Sequence, residues 1–278
     1  MDGRHFGDDR GSFADLTMLV SDDAAPEMSS PAALARLVEA EILPRLMLAH
    51  RAAPRRPARP PSPDEIERFS VLLLAPGPVD PDAQVDALLD GGLPLESLLL
   101  DLLAPAARHL GALWEEDACD FLAVTEGLGR LQAVTRRLCA RLENGGLSVD
   151  RRILLMPCPG ETHAYGLSIV ASFFREAGWE VTLLGGTGVD AADLLRGGWF
   201  DAVGLSLSSD VHLSALQAAL PALRHASRNP ALAVLVGGPW FARTGAGAGA
   251  VGADACAVDA RSGPGLAEAL LDRPALAC

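Results

Sequence analysis

The segment Glu-Thr-His-Ala-Tyr-Gly at residues 161–166 brings together side chains that can bind a metal. The imidazole of His163 follows the carboxylate of Glu161 by two residues. A carboxylate that accepts a hydrogen bond from a histidine fixes its tautomer and makes it a better metal ligand. A histidine next to an acid at the start of a helix is also a common surface arrangement, so the segment by itself leaves both interpretations open.

The chain around this segment predicts a parallel sheet. Residues 149–278 alternate helical stretches with five short apolar runs: RRILLMPC, WEVTLLGG, FDAVGLSLSS, ALAVLVGG and ADACAVD. This alternation predicts an α/β fold with a Rossmann-like (flavodoxin-like) parallel five-stranded sheet and helices on both faces. His163 would then lie in the first strand-to-helix loop, at the carboxyl edge where open α/β sheets bind ligands.

Two more turns are expected at the same edge. Ser206 and Ser208 follow the third predicted strand, and Gly237 and Gly238 follow the fourth. Glycine lets a ligand approach the backbone closely, and serine hydroxyls can hydrogen-bond it. The three turns together predict one ligand site.

This combination, Glu-x-His-x-x-Gly followed by a serine-containing turn and then Gly-Gly, resembles the methionine-synthase-like cobalamin-binding domain. The resemblance implies that cobalamin, in its adenosyl, methyl or hydroxo form, is the cofactor. His163 would replace the cofactor's own dimethylbenzimidazole as the lower cobalt ligand, with Glu161 as its hydrogen-bond partner and Thr162 also in contact with the cofactor. The family's usual Asp is replaced here by Glu161, and its usual Ser-x-Leu by Ser206-Leu207-Ser208.

The same resemblance assigns the residues around the cofactor's nucleotide tail. Gly166 would leave room for the tail, and Ser206 and Ser208 would hydrogen-bond it. Gly237 and Gly238 would line the slot that holds it.

Residues 63–148 predict a four-helix bundle cap, because four stretches with an apolar face are separated by short connections. The part from Leu113 to Gln132 is similar to the bundle of the photosynthesis regulators of the AerR/PpaA type, which implies that Trp114 faces the corrin; as a large aromatic it also suits the bundle core. In light-sensing cobalamin repressors a Glu-His pair supplies the upper ligand, and Val124-Thr125 stand there in this chain. His5, in the acidic N-terminal stretch, is another candidate for the upper ligand.

The first 62 residues form a third region. An Asp/Gly-rich tail precedes one helical pattern from Pro31 to His50, which Pro44 should kink. The Pro/Arg-rich run at residues 51–63 predicts an extended linker. The expected domains are therefore 1–62, 63–148 and 149–278.

Composition excludes several classes of function. With 23 Lys and Arg against 36 Asp and Glu, the formal net charge is −13, which disfavours direct nucleic-acid binding. The N-terminus is acidic where a signal peptide is basic, and no apolar run is long enough to span a membrane, so we expect a cytoplasmic protein. No catalytic motif for hydrolysis or phosphate binding is present, and we expect no enzymatic activity.

The family resemblance implies a light- or redox-responsive antirepressor that binds a CrtJ/PpsR-like transcriptional repressor of photosystem genes. The alternatives are a corrinoid carrier for methyl transfer, a haem sensor in which His163 binds iron, and a two-layer module without a cofactor.

Overall fold

The computed structural model describes residues 59–143, 149–162, 164–185 and 189–272. The predicted helix at 31–50, most of the linker, His5 and His163 lie outside these residues. Helices fill the first described part: α1 (Pro63–Leu74), α2 (Pro81–Asp90), α3 (Leu95–Ser97), a π-helical segment (Leu98–Leu103), α4 (Ala104–Glu115) and α5 (Phe121–Leu142).

Side-chain caps determine where three of these helices begin. Ser62 and Glu65 form a capping box at α1, in which the Glu65 carboxylate accepts the Ser62 N–H at 2.6 Å. Asp80 accepts the Ala83 N–H at α2, and Asp120 accepts the Ala123 N–H at α5, at 3.0 and 2.7 Å. Each cap satisfies a backbone donor that has no partner within its helix.

The π-helical segment accommodates Pro105, which follows it closely. Proline lacks an N–H and its ring crowds the carbonyl one turn earlier, so a regular helix cannot continue through it without adjustment. Here the Ala104 N–H donates to the Leu99 carbonyl, five residues back. The wider turn keeps four leucines in the bundle core: Leu98, Leu99, Leu102 and Leu103.

The second described part confirms the predicted sheet. Five parallel strands pair in the order β2-β1-β3-β4-β5. The strands are β1 (Arg152–Pro157), β2 (Glu180–Leu183), β3 (Ala202–Ser206), β4 (Ala233–Gly237) and β5 (Ala255–Ala257). The helices are α6 (Tyr165–Glu176), α7 (Ala191–Gly197), α8 (Leu213–Ala226), α9 (Pro239–Thr244) and α10 (Ser262–Leu271), with short 3-10 turns at Asp210–His212 and Ala248–Ala250.

The strand order places the β1 and β3 loops next to each other. The chain leaves β1 toward β2 on one side and returns to β3 on the other, so the two loops diverge at the carboxyl edge. This switch point is where a 2-1-3-4-5 sheet binds its ligand.

The bundle packs on the α/β part through α5 and α6. One apolar cluster combines bundle residues such as Leu131 and Leu138 with Ile169 and Phe173 of α6. Polar contacts flank it: the hydroxyls of Thr135 and Tyr165 are 2.7 Å apart, and Ser172 donates to Glu143 at 2.8 Å. Burial of the Tyr165 phenol raises its pKa to about 12.

The start of α5 differs from the prediction. The helical periodicity of this stretch places Phe121 and Leu128 on the same face as Leu131 and Leu138, but Phe121 is 71% exposed and Leu128 36%. The core cluster includes α5 from Leu131 onward. In the earlier turns Val124 and Gly127 are buried, and Gly127 packs closely on Leu74 of α1, whereas Phe121 packs edge-on against Trp114 at the surface. Within the described residues, no helix has the length and apolar character needed to cross a membrane.

Candidate functional site

The loops after β1 and β3 are joined by the carboxylate of Glu161. Its Oε1 accepts the Ser208 N–H at 2.7 Å and the Ser209 N–H at 3.4 Å, and its Oε2 accepts the Ser208 hydroxyl at 3.1 Å. Ser208 was expected to bind the nucleotide tail, but the structure gives both its donors to Glu161. The reason is the parallel pairing of β1 and β3, which brings the two loops together at the switch point.

The residues just before Glu161 are held against the same partner segment. The Cys158 N–H donates to the Ser206 carbonyl at 2.8 Å, and its thiol donates to the His212 carbonyl at 3.3 Å. Burial, together with the charge of Glu161, raises the pKa of the Cys158 thiol to about 12, so this thiol is neutral at physiological pH.

His212 also belongs to this junction. It is half-buried, and a Cβ on Gly160 would lie 2.9 Å from its Nδ1. Gly160 has a φ of +91°, which favours glycine. The imidazole therefore packs directly on the loop that leads to His163.

The turn after β4 supports the turn after β3 from the other side. The Leu207 N–H donates to the Gly237 carbonyl at 2.9 Å, and the Trp240 N–H donates to the Leu207 carbonyl at 3.0 Å. A Cβ at Gly238, where φ is +106°, would lie 2.7 Å from the Leu207 carbonyl and the Ser206 hydroxyl. The Gly-Gly pair is thus needed for close approach of two backbones, in addition to its position beside the cavity.

A cavity of about 620 Å³ opens next to these turns. Its walls come from the sheet (β1, β3, β4, β5 and the segment after β5), from α6, α9 and α10, and from the π-helical segment and α4 of the cap, and Arg243 of α9 is among the lining residues. Among the residues that line it are Leu155, Gly166, Phe174, Gly204, Ser206, Gly237, Gly238, Asp101, Ala104 and Arg108. The size and mainly apolar lining are those of a small-molecule site.

The cavity suits a flat heterocyclic group such as the cobalamin tail. Gly166 lines it, and a Cβ built at Gly166 would have no neighbour within 4 Å. Gly166 is exposed, so a small side chain there would meet open space at the border of the cavity. The hydroxyl of Ser206 is available at the cavity wall as a polar contact.

The remaining expected site residues are placed as follows. Thr162 is exposed beside Glu161, and His163 is outside the described residues, so the axial ligation by His163 stays a prediction. Trp114 is 46% exposed at the end of α4 and packs edge-on against Phe121, with ring centroids 6.2 Å apart. Trp114 is thus a surface residue of the cap in this structure, and its contact with a corrin also stays a prediction.

Sequence reasoning missed three contributors to the site: His212, Arg243 on α9, and the part of the cap around Asp101 and Arg108. None belongs to a motif. For Asp101 and Arg108, the proline at position 105 could have indicated an irregular helix. Such π-helical turns often occur at functional sites.

Comparisons with known proteins agree with this geometry. The B12 binding domain family matches residues 151–264. A Rhodobacter capsulatus protein described as an uncharacterized 20.5 kDa protein in the bchF-crtJ intergenic region is 30% identical over 131 residues, covering 46% of this chain and 68% of the relative.

One of the similar solved structures supports the same fold. The monomethylamine corrinoid protein of Methanosarcina barkeri matches with a TM-score of 0.55 and 15% identity, over 76% of this chain and 99% of that one. A cobalamin-binding protein from Desulfitobacterium hafniense DCB-2 has a TM-score of 0.38 and 19% identity, over 74% of this chain and 96% of that one. The chain therefore belongs to the B12-binding family, is a cobalamin-binding protein of the AerR/PpaA type, and has cobalamin as its cofactor.

Proposed function

We propose that this chain is a non-enzymatic, light- or redox-responsive regulator that uses cobalamin to control its binding to a CrtJ/PpsR-like repressor of photosystem genes. The observation that carries the proposal is the Rhodobacter capsulatus relative, whose description places it in the bchF-crtJ intergenic region. That description names crtJ, and a CrtJ-like repressor is the partner that the family resemblance implies.

The site supports a tightly held cofactor. When bound, cobalamin supplies a cobalt centre whose upper ligand can be exchanged by light. His163 would hold the lower face, and Glu161, fixed by three donors from Ser208 and Ser209, is held beside the loop that carries it. The cavity with Gly166 and Ser206 would take the nucleotide tail and keep water from it.

The cap provides the part that can respond. Trp114 and Phe121 expose apolar surface at one end of the bundle. A change of the upper ligand can move the cap only if it changes the relative free energies of two cap positions. The cofactor must therefore favour one position with one upper ligand and the other position with the other ligand. We propose that this difference alters the surface presented to the repressor.

The first experiment measures cofactor retention. The protein is mixed with adenosyl-, methyl- and hydroxocobalamin, desalted, and its absorption spectrum recorded before and after illumination. We expect retained corrin bands that change with light in the wild type and are lost in His163→Ala. Corrin that is retained but indifferent to light would contradict the photosensor and favour a methyl-transfer carrier; no retained corrin would contradict both.

The second experiment tests the partner. A purified CrtJ/PpsR-like repressor is captured with the cobalamin-loaded protein in the dark and after illumination. We expect binding in one of the two states and much less in the other, with His163→Ala insensitive to light. Absence of binding in both states would overturn the regulatory proposal.

A further inference from the structure

Arg243 holds the peptide to which Glu161 is bound. Its Nη1 and Nη2 each donate to the Ser208 carbonyl at 3.2 Å. On the other side of the same peptide unit, the Ser209 N–H donates to Glu161 at 3.4 Å, and the Ser208 N–H and hydroxyl donate to it as well. One peptide thus lies between a guanidinium and a carboxylate.

We propose that Arg243 is a positioning residue for the lower-ligand loop, acting through the Ser208–Ser209 peptide to fix the carboxylate of Glu161. The inference rests on the proposed role of Glu161 as the partner of His163. It adds a residue that lies 82 positions from Glu161 in the sequence and belongs to no motif of the site.

The electrostatics of this arrangement favour it. The carbonyl oxygen of a peptide carries partial negative charge and its N–H partial positive charge, so a cation at the oxygen and an anion at the N–H both stabilise the same orientation. Hydrogen bonds with one charged partner are roughly twice as strong as those between neutral groups, and bonds in series polarise one another. The turn is therefore held most firmly when both charges are present.

Arg243 is exposed, but the helix that carries it is held in place by the fold. It lies in α9, which is anchored by the buried Phe241 and by the bond from the Trp240 N–H to the Leu207 carbonyl at 3.0 Å. Within the part of the chain that the structure describes, no carboxylate lies within 4.0 Å of its guanidinium. Its contacts with the Ser208 carbonyl are thus not in competition with a described ion pair.

Arg224 offers a matched control. It is also an arginine of the α/β part that donates to a backbone carbonyl, that of Gly252 at 2.8 Å, and it pairs with Asp254 at 2.9 Å. Its helix ends at the opposite edge of the sheet, before β4. Arg224→Ala therefore changes the net charge as Arg243→Ala does, without touching the Ser208 turn.

The first test uses the protein without cofactor. Hydrogen exchange is followed in a peptide that contains the Ser208 and Ser209 amides, in Arg243→Ala, Arg243→Lys, Arg224→Ala and wild type. Because a charge-assisted bond holds the turn, we expect about three- to tenfold faster exchange in Arg243→Ala, an intermediate effect in Arg243→Lys, and wild-type exchange in Arg224→Ala. Unchanged exchange in Arg243→Ala would overturn the proposal.

The second test measures hydroxocobalamin affinity by absorption titration. Loss of a residue that orients a metal ligand typically lowers affinity about 10- to 100-fold, and we expect the lower end of that range, about tenfold, for Arg243→Ala because it acts through a peptide. The double variant with Glu161→Gln should be no worse than Glu161→Gln alone, since the two act as a unit. Additive losses would contradict the relay.

The two tests separate the possible failures. If the wild type binds no cobalamin, the proposed function fails while the exchange test still decides the role of Arg243. If Arg243→Ala weakens cobalamin binding but leaves the exchange of the Ser208 turn unchanged, Arg243 contacts the cofactor directly and the positioning role is wrong.

Discussion

Gly238 shows how one residue controls the distance between two loops of the site. Its φ of +106° suits glycine, and a Cβ there would come within 2.7 Å of the backbone of Leu207 and the hydroxyl of Ser206. Any side chain at position 238 must therefore push the turn after β4 away from the turn after β3, which contains Ser206 and Ser208.

We expect Gly238→Ala to lower the free energy of unfolding by about 1–3 kcal/mol, the usual cost of a strained backbone conformation. Denaturant unfolding measures this. Gly249→Ala is the control, because its Cβ would meet no atom within 4 Å and its φ is not positive. Equal stability of the two variants would show that the β3 and β4 turns can separate freely.

Gly166 tests whether the cavity is the tail site. Its Cβ would have open space around it, so Gly166→Leu should fold with wild-type stability while its side chain fills the cavity. We expect the variant to lose cobalamin after desalting. Gly265→Leu, also at an exposed helical glycine with open space around it, should retain the cofactor. Retention by Gly166→Leu would place the tail elsewhere.

At the scale of elements, α5 and α6 join the cap to the sheet through the pair of Thr135 and Tyr165. The two hydroxyls are 2.7 Å apart, and Thr135 also donates to the Leu131 carbonyl. Tyr165 begins α6, two residues after His163, so the contact links the cap to the start of the helix that follows this loop.

We expect Tyr165→Phe to lower the free energy of unfolding at neutral pH by about 1 kcal/mol through loss of this hydrogen bond. The raised pKa of Tyr165 means that the folded state favours the neutral phenol. The contribution of the Tyr165 phenol to the free energy of unfolding is therefore complete below pH 10, the ordinary pKa of tyrosine. It is lost as the pH rises toward about 12, the pKa of Tyr165 in the folded state.

Wild-type stability should consequently fall between pH 10 and 12 more steeply than that of Tyr165→Phe. Denaturant unfolding across this range is the measurement. Because Cys158 is present in both proteins, its own raised pKa cancels in the comparison. Parallel pH profiles would contradict burial of the ionisable phenol.

The elements themselves could largely be predicted from the sequence. Five short apolar runs predicted the strands, and their alternation with helical stretches predicted a parallel sheet, while stretches with an apolar face predicted the helices of the cap. The apolar face at the start of α5 could not be assigned in this way. Periodicity locates a face but not the partner that covers it, and Phe121 has none but Trp114 among described aromatic rings.

At the scale of the whole molecule, charge shapes the encounter with a partner. The formal net charge of −13 creates a field that attracts a basic surface, such as a DNA-binding domain, and salt screens it. If the proposed repressor binds through such a domain, its association rate should fall by about tenfold or more between 50 and 500 mM salt. Stopped-flow association at constant viscosity measures this; a rate that is independent of salt would contradict electrostatic steering.

The sequence by itself determined the type of fold through its local apolar pattern, and it indicated the cofactor because its short motifs resemble those of a known family. The period of the apolar residues distinguishes strand from helix, and the segment Glu161–Gly166 with its Ser and Gly-Gly turns is short enough to be read directly. Residues that act together and are also close in the sequence form a motif that can be recognised without the structure.

Only the tertiary structure decided which side chains complete the site. Glu161 meets Ser208 because β1 and β3 are adjacent, Arg243 reaches the same peptide from α9, and His212 packs on Gly160. The contacting residues are separated by 35 to 52 positions in the chain, and their contacts depend on strand order and on the close approach that glycine permits. No local pattern contains that information, since it arises only when the sheet is assembled.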